Sequence, residues 1–308
     1  MIIKIFFSFC TIIILSLTLS AQVTEKKNWC ASKCNAAGDE LNNTKMIMKC
    51  LSNDSLMNVM QKMEKLSFPI RLAFVQSESS DMKEEKRLAE KAIKQLNEAY
   101  APAGLEFLID QLDLIVSDLS IEDLSVNHYA PYLTFSKQHD LNHQISIYIF
   151  NHDQDFCNIS PTSISCGRTG GFSFILSDVT NNLVLSRFDL SDQKVVAHEV
   201  GHFFGLYHTF EESQFGKDNF EEGTCHARGD AICDTPPDPG SVFEVYVNYS
   251  NCEMVGLSHE SGQYYSPLIN NYMSYYKPCY LKEYSFTQGQ IEVIKMAALS
   301  PLRKKFSQ

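Results

Sequence analysis

Three histidines and one glutamate stand at spacings that suit a metal ion: His198, Glu199, His202 and His208, inside the run HEVGHFFGLYH at 198–208. On an α-helix, residues four apart project from one face about one turn apart, so His198 and His202 can grip one ion together. Glu199 then sits beside that face, within reach of a water at the ion. A straight helix cannot deliver a third ligand, so the chain must turn back. Gly205 permits this by taking a backbone conformation that costs other residues energy. His208 then completes three protein ligands, leaving a fourth zinc position open to water, the arrangement of a catalytic site rather than a structural one. Zinc lowers the pKa of such a water towards about 7 and polarises a bound carbonyl. Glu199 is placed to act as general base and then to protonate a leaving amine.

The elements that must position these residues follow from pattern. The helix bearing the motif is expected to start at Ser191, an N-cap after the loop residue Asp189, and to stop at Gly205. Ahead of it, 68–75 (FPIRLAFV), 105–109 (LEFLI), 145–150 (ISIYIF) and 171–177 (GFSFILS) read as strands. Residues 81–100 place Leu88, Ala92, Ile93, Leu96 and Tyr100 at helical spacing, and Pro102 and Gly104 end that helix. The strand at 171–177 lies where a sheet edge could bind an extended substrate. Beyond the motif, 209–270 is rich in Gly, Pro, Asp, Asn and Tyr and predicts irregular, disulfide-pinned loops. Thr287 and Gln290 form a capping box for a last helix, with Pro301 after it.

A net charge of −11 and a pI near 5.3 argue against a nucleic-acid partner, which requires clustered Lys and Arg, and leave a protein or peptide as substrate. The 308 residues allow one main domain with an extension. Residues 1–21 have the order of a secretion signal: Lys4, an apolar run over 5–19, then Ser20 and Ala21 before Gln22. That run is shorter than the roughly 20 apolar residues of a membrane span. No stable membrane association is therefore expected after cleavage. The product is expected to be extracellular, or periplasmic or cell-surface in a bacterial host. The 10 cysteines suit an oxidising compartment, and Cys10 leaves with the signal. Residues 22–66 carry Cys30, Cys34 and Cys50 in a polar stretch and read as a pro-segment or small extension, with the main domain at 67–308. Cys157 and Cys166, close in sequence, are expected to form a local bridge.

The long motif HExxHxxGxxH is the signature of metzincin zinc proteases, and NNYMSYY at 270–276 resembles their methionine-containing turn, with Met273 beneath the metal. Tyr275 matches the tyrosine that several metzincin families place near the metal, where its hydroxyl stabilises a developing oxyanion. CHARGDAICDTPPDP at 225–239, together with Cys225, Cys233, Cys252 and Cys279, resembles the pappalysin family, above all its single-domain microbial members. The resemblance implies an α+β metzincin fold: a twisted mixed sheet with a backing helix and the zinc helix, and an irregular lower subdomain ending in a C-terminal helix. It also implies endoproteolysis before basic residues and bridges Cys225–Cys252 and Cys233–Cys279. It further implies a calcium site with Asp230, Asp234 and Thr235 as candidates, an Asx-type turn being the other reading of these three. Cys30, Cys34 and Cys50 then remain, and a thiolate from one of them could fill the open zinc position and keep a zymogen silent. Two other functions would keep the same ligands. One is a secreted zinc-containing binding protein without turnover, against which Glu199 speaks; the other is a hydrolase of non-peptide amides.

Overall fold

The computed structural model describes residues 63, 65–78, 82–124, 129–141, 143–151, 156–159, 164–167, 170–173, 175, 181–211, 225, 229–240, 246–248, 250–255, 264–276, 279 and 283–308. The expected signal and the cysteines Cys30, Cys34 and Cys50 lie outside them. In chain order the elements are β1 (Leu66–Gln76), α1 (Met82–Tyr100), β2 (Leu105–Val116), α2 (Tyr129–His139), β3 (Ile145–Phe150), β4 (Phe156–Ile159), β5 (Ile164–Gly167), β6 (Gly171–Ser173), β7 (Asn182–Ser186), α3 (Gln193–Phe203), β8 (Tyr246–Asn248), β9 (Glu253–Val255), α4 (Gln288–Leu299) and α5 (Pro301–Lys304).

Five strands form one mixed sheet in the order β2-β1-β3-β7-β6. The first four run parallel, and β6 closes one edge antiparallel to β7. All six residues of β3 are buried, as expected of a strand covered on both faces. Period-two alternation divides β1 between the layers. Phe68, Ile70, Leu72 and Phe74 join α1, α3 and α4 in the larger core, while Ala73 and Val75 join Tyr132 and Phe135 of α2 on the other face. The α+β architecture with a backing helix and a C-terminal helix is therefore the one its motifs imply.

The helix that carries the motif is held on several sides. Tyr100 at the end of α1 donates its hydroxyl to the Ala197 carbonyl (2.9 Å), and Arg303 Nε donates to the Phe203 carbonyl (2.9 Å). Gln193 Nε2 donates to the Tyr272 hydroxyl at 3.0 Å. The N-cap is Asp192 rather than Ser191: its Oδ1 accepts from the Lys194 amide (2.8 Å), satisfying a free helix-start donor. The expected strand at 171–177 is also shorter, with β6 ending at Ser173.

Between α3 and α4, the short β8–β9 hairpin supplies the strands among the described residues. The disulfides correct the expected pairing: Cys225 joins Cys233 and Cys252 joins Cys279, in place of Cys225–Cys252 and Cys233–Cys279. Bridges require Cα separations of about 4.4–6.8 Å, and local turns set which cysteines meet. Gly229 and Ala231, both with positive φ (58° and 65°), precede Cys233, whose Cα lies 5.0 Å from that of Cys225. Cys252 and Cys279 share a small cluster with Ile269 and Tyr276. Cys157 and Cys166 are Cα partners across β4 and β5; their thiols lie outside the described side chains. Among the described residues, no helix is long and apolar enough to cross a membrane.

Candidate metal centre

Residues 196–203 of α3 are all buried, so His198, Glu199 and His202 leave the helix into protein rather than solvent. The helix ends at Phe203, and Gly205 takes φ 96°, the left-handed conformation that its lack of a β-carbon makes cheap. The turn is closed by Gly205 N to His202 O and Leu206 N to Gly201 O, both 2.9 Å. It brings His208 back under the helix.

The three imidazoles converge through Nε2, with His202 Nε2 3.1 Å from that of His198 and 3.1 Å from that of His208. The opposite nitrogens explain why. His198 Nδ1 donates to the Tyr272 carbonyl (2.8 Å) and His202 Nδ1 to the Leu206 carbonyl (2.7 Å). A carbonyl only accepts, so both protons sit on Nδ1, and the Nε2 atoms present lone pairs to one another. His208 Nδ1 lies 3.7 Å from the Glu211 carboxylate. Two such lone pairs and the Nε2 of a third imidazole, gathered in a largely buried space, suit a cation. Ligands at about 2.0–2.1 Å in tetrahedral array lie roughly 3.3 Å apart, which these nitrogens match closely. Burial pushes His198 down to about 3, and burial and the two neighbouring histidines hold His202 well below its usual value, so both are neutral ligands at ordinary pH.

Glu199 is 6% exposed, and its Oε2 is buried with no hydrogen-bond partner. Burial pushes its carboxyl up to about 8. A cation at the histidines would supply the missing charge, since bound ions reverse such local shifts. The ligand set and the orphan oxygen therefore both fit a divalent metal.

Tyr275 stands over the opening. Its ring lies 4.8 Å from that of His208 and 5.6 Å from that of His198, and it is 53% exposed. Its partial burial, with the nearby Glu199 and Glu211 carboxylates, pushes the phenol up to about 12, so it stays protonated. Met273 is fully buried under the helix in a turn built by Asn271, whose Oδ1 accepts from the Met273 amide (2.9 Å) and from Gln290 Nε2 (3.1 Å). The capping-box glutamine of α4 thus also anchors the methionine turn.

Of the calcium candidates, Asp230 and Thr235 meet directly, while Asp234 turns to another partner. Asp234 faces the start of α4, accepting from Thr287 Oγ1 and the Gly289 amide (both 2.8 Å). Asp230 Oδ1 accepts from Thr235 Oγ1 (2.8 Å) and the Ile232 amide (3.0 Å), the latter an Asx-type turn. Among the described residues, the three histidines are the one group of three or more His, Cys, Asp or Glu whose ligand atoms lie within 4.8 Å of one another.

Two glycines escaped the motif reading. A β-carbon at Gly171 of β6 would stand 2.9 Å from Glu199 Cγ and 2.8 Å from the Val184 carbonyl, and one at Gly201 would stand 2.6 Å from Met273 Sδ. The paired Gly170–Gly171 and a glycine inside a helix were the signals available, since each costs backbone entropy without a packing reason.

The fold is the α+β metzincin type that the motifs imply, with three histidines gathered at one point. The family described as Pregnancy-associated plasma protein-A matches residues 175–299, the part of the chain that holds the histidine motif and the methionine turn. The chain is similar to an extracellular metalloprotease of Pyricularia oryzae (28% identical over 200 residues, 64% of this chain and 62% of that protein). It is likewise similar to one of Sordaria macrospora (31% over 203 residues, 63% and 61%). The matched span covers less than two thirds of these fungal relatives. A promirolysin mutant of Tannerella forsythia shares the fold at TM-score 0.52 and 16% identity, covering 87% of this chain and 96% of that one.

Proposed function

We propose that the chain is a secreted zinc endopeptidase. One observation carries the reading: three imidazole Nε2 atoms converge beside a buried carboxylate whose second oxygen has no partner. His198, His202 and His208 would hold the ion. When bound, zinc would supply Lewis-acid polarisation of the scissile carbonyl and would make a nearby water more acidic. Glu199 takes a proton from the attacking water and delivers it to the leaving amine. The Tyr275 hydroxyl donates to the oxyanion as it forms. The outer edge of β6 offers backbone groups to an extended peptide, the register that lays a peptide bond beside α3. The fungal relatives' description as extracellular metalloproteases supports both the protease reading and export.

Within this reading, residues 1–21 direct secretion, 22–66 form the pro-segment and 67–308 the catalytic domain, with Cys30, Cys34 or Cys50 as the silencing thiolate. Preference for a basic residue after the scissile bond rests on the pappalysin resemblance. The test is digestion of a peptide library by the processed chain, first alone, then after chelation, then with zinc returned. Cleavage that disappears and returns with the metal is expected. Zinc binding without any cleavage would instead favour a binding protein, and turnover of small amides alone would favour the non-peptide hydrolase.

A further inference from the structure

The loop that delivers His208 is fastened by a residue outside the histidine motif. Asp238 is 1% exposed, and both its carboxylate oxygens are used. Oδ2 accepts from Thr209 Oγ1 (2.6 Å); Oδ1 accepts from the Tyr276 hydroxyl and the Gly240 amide (both 2.8 Å). Thr209 directly follows His208, and its amide donates to the Met273 carbonyl (3.2 Å). Tyr276 directly follows Tyr275. A single buried carboxylate thus ties the residue after the third histidine to the residue after the tyrosine over the site.

The same residue seats an aromatic support. Phe210 lies flat against the His208 ring, with centroids 4.7 Å apart and planes at 8°. Phe210 also packs against Gly240, where a β-carbon would stand 3.4 Å from Phe210 Cγ and φ is +76°. Asp238 holds the Gly240 amide and so keeps this backing in place.

His208 is the ligand that needs such help. His198 and His202 are fixed by a buried helix and by Nδ1 bonds to carbonyls, whereas the His208 side chain is 22% exposed, on a turn, with Glu211 at 3.7 Å. We propose that Asp238 is a positioning residue that fixes His208 and Tyr275 relative to each other, and thereby sets the site's affinity for zinc. Burying a carboxylate among neutral donors is costly, which a loop with no positional task would avoid. The inference rests on the zinc reading and deepens it.

The test measures zinc affinity by competition with a chelating dye, and the urea midpoint of each metal-free chain, for wild type, Asp238→Ala, Asp238→Asn, Tyr276→Phe and Asn182→Ala. Loss of an outer partner of a metal ligand typically weakens affinity about 10- to 100-fold, and that is expected of Asp238→Ala. Asp238→Asn should rescue most of it, because the amide oxygen can accept from Tyr276 and Gly240 while its NH2 donates to Thr209. Tyr276→Phe removes one hydroxyl, keeps the ring, and should give an intermediate loss, so it decides the matter if Asp238→Ala does not fold. Asn182→Ala breaks a buried network with Ser136 and Asp140 by α2; it should lower the urea midpoint and leave zinc affinity unchanged. Wild-type affinity in Tyr276→Phe and in any folded Asp238→Ala, or an equal loss in Asn182→Ala, overturns the proposal. A wild type that binds no zinc overturns the zinc reading itself, and this inference with it.

Discussion

Gly201 and Met273 are in direct contact across the floor of the metal site: a β-carbon on Gly201 would reach within 2.6 Å of Met273 Sδ and 3.3 Å of its Cε. The glycine of HEVGH is thus a packing requirement of the methionine turn. Alanine in a helix interior gains about 1 kcal/mol over glycine, whereas overpacking a full core costs about 1–3 kcal/mol. Gly201→Ala should therefore destabilise the chain while Met273 is present, and stabilise it in a Met273→Ala background. Urea denaturation of the four chains of this cycle reads the sign, and a loss that persists without the Met273 side chain would contradict the contact.

Gly171 stands in the same relation to Glu199. A methyl group there meets Glu199 Cγ at 2.9 Å and the backbone oxygen of Val184 at 2.8 Å, and that oxygen, held in the β6–β7 pairing, is the less free to yield. Gly171→Ala should displace the carboxylate while leaving the histidines in place. Steady-state kinetics and zinc titration together should show a lower kcat at undiminished zinc stoichiometry; loss of zinc in step with activity would place the damage elsewhere.

Tyr275 offers a ring and a hydroxyl, and the two can be separated. Its ring packs on His208 and Phe210. Tyr275→Phe keeps that packing and deletes the donor, so kcat should fall, by on the order of 10²-fold if the hydroxyl acts as an oxyanion donor. KM and zinc affinity should hardly change. A rise in KM at constant kcat would assign the residue to substrate binding instead.

A buried polar cluster by α2 makes stability depend on pH. Asp140 accepts from Asn182 Nδ2 (2.9 Å) and the Tyr148 hydroxyl (3.2 Å), yet burial, the largest influence on it, raises its pKa above 3.8. A carboxyl with a raised folded-state pKa contributes stability that is fully present below its unfolded value. That stability is lost as pH rises through the folded value. Relative to wild type, Asp140→Asn should gain stability steadily as pH climbs from about 3.8 through that window and then level off. Urea midpoints over this range check it, and a difference that stays flat with pH would show that Asp140 titrates as it does unfolded.

The metal centre is legible in sequence because helical spacing carries its geometry. The interval between His198 and His202 sets one face, and Gly205 signals the turn that returns His208. Chain-local patterns likewise reveal β1, β3, α1 and α4. What sequence hides is set by distant or irregular contacts. α2 clusters Tyr132, Leu133 and Phe135 instead of spacing them, and β7 has only five residues, NLVLS, too few for a periodic pattern to stand out. The cysteine pairing is set by which cysteines the folded chain brings together, which spacing and composition do not encode. Asp238 lies in the run at 225–239 that the sequence singles out, but its hydrogen bond to Thr209, 29 residues away, is a contact that the run itself does not encode.

The central claim is that Glu199 drives hydrolysis at a metal held by His198, His202 and His208. Its most direct test is digestion of one peptide library by wild type and Glu199→Ala at matched zinc occupancy. The account predicts that both chains bind one zinc and that only the wild type cleaves; equal cleavage by the two would contradict it.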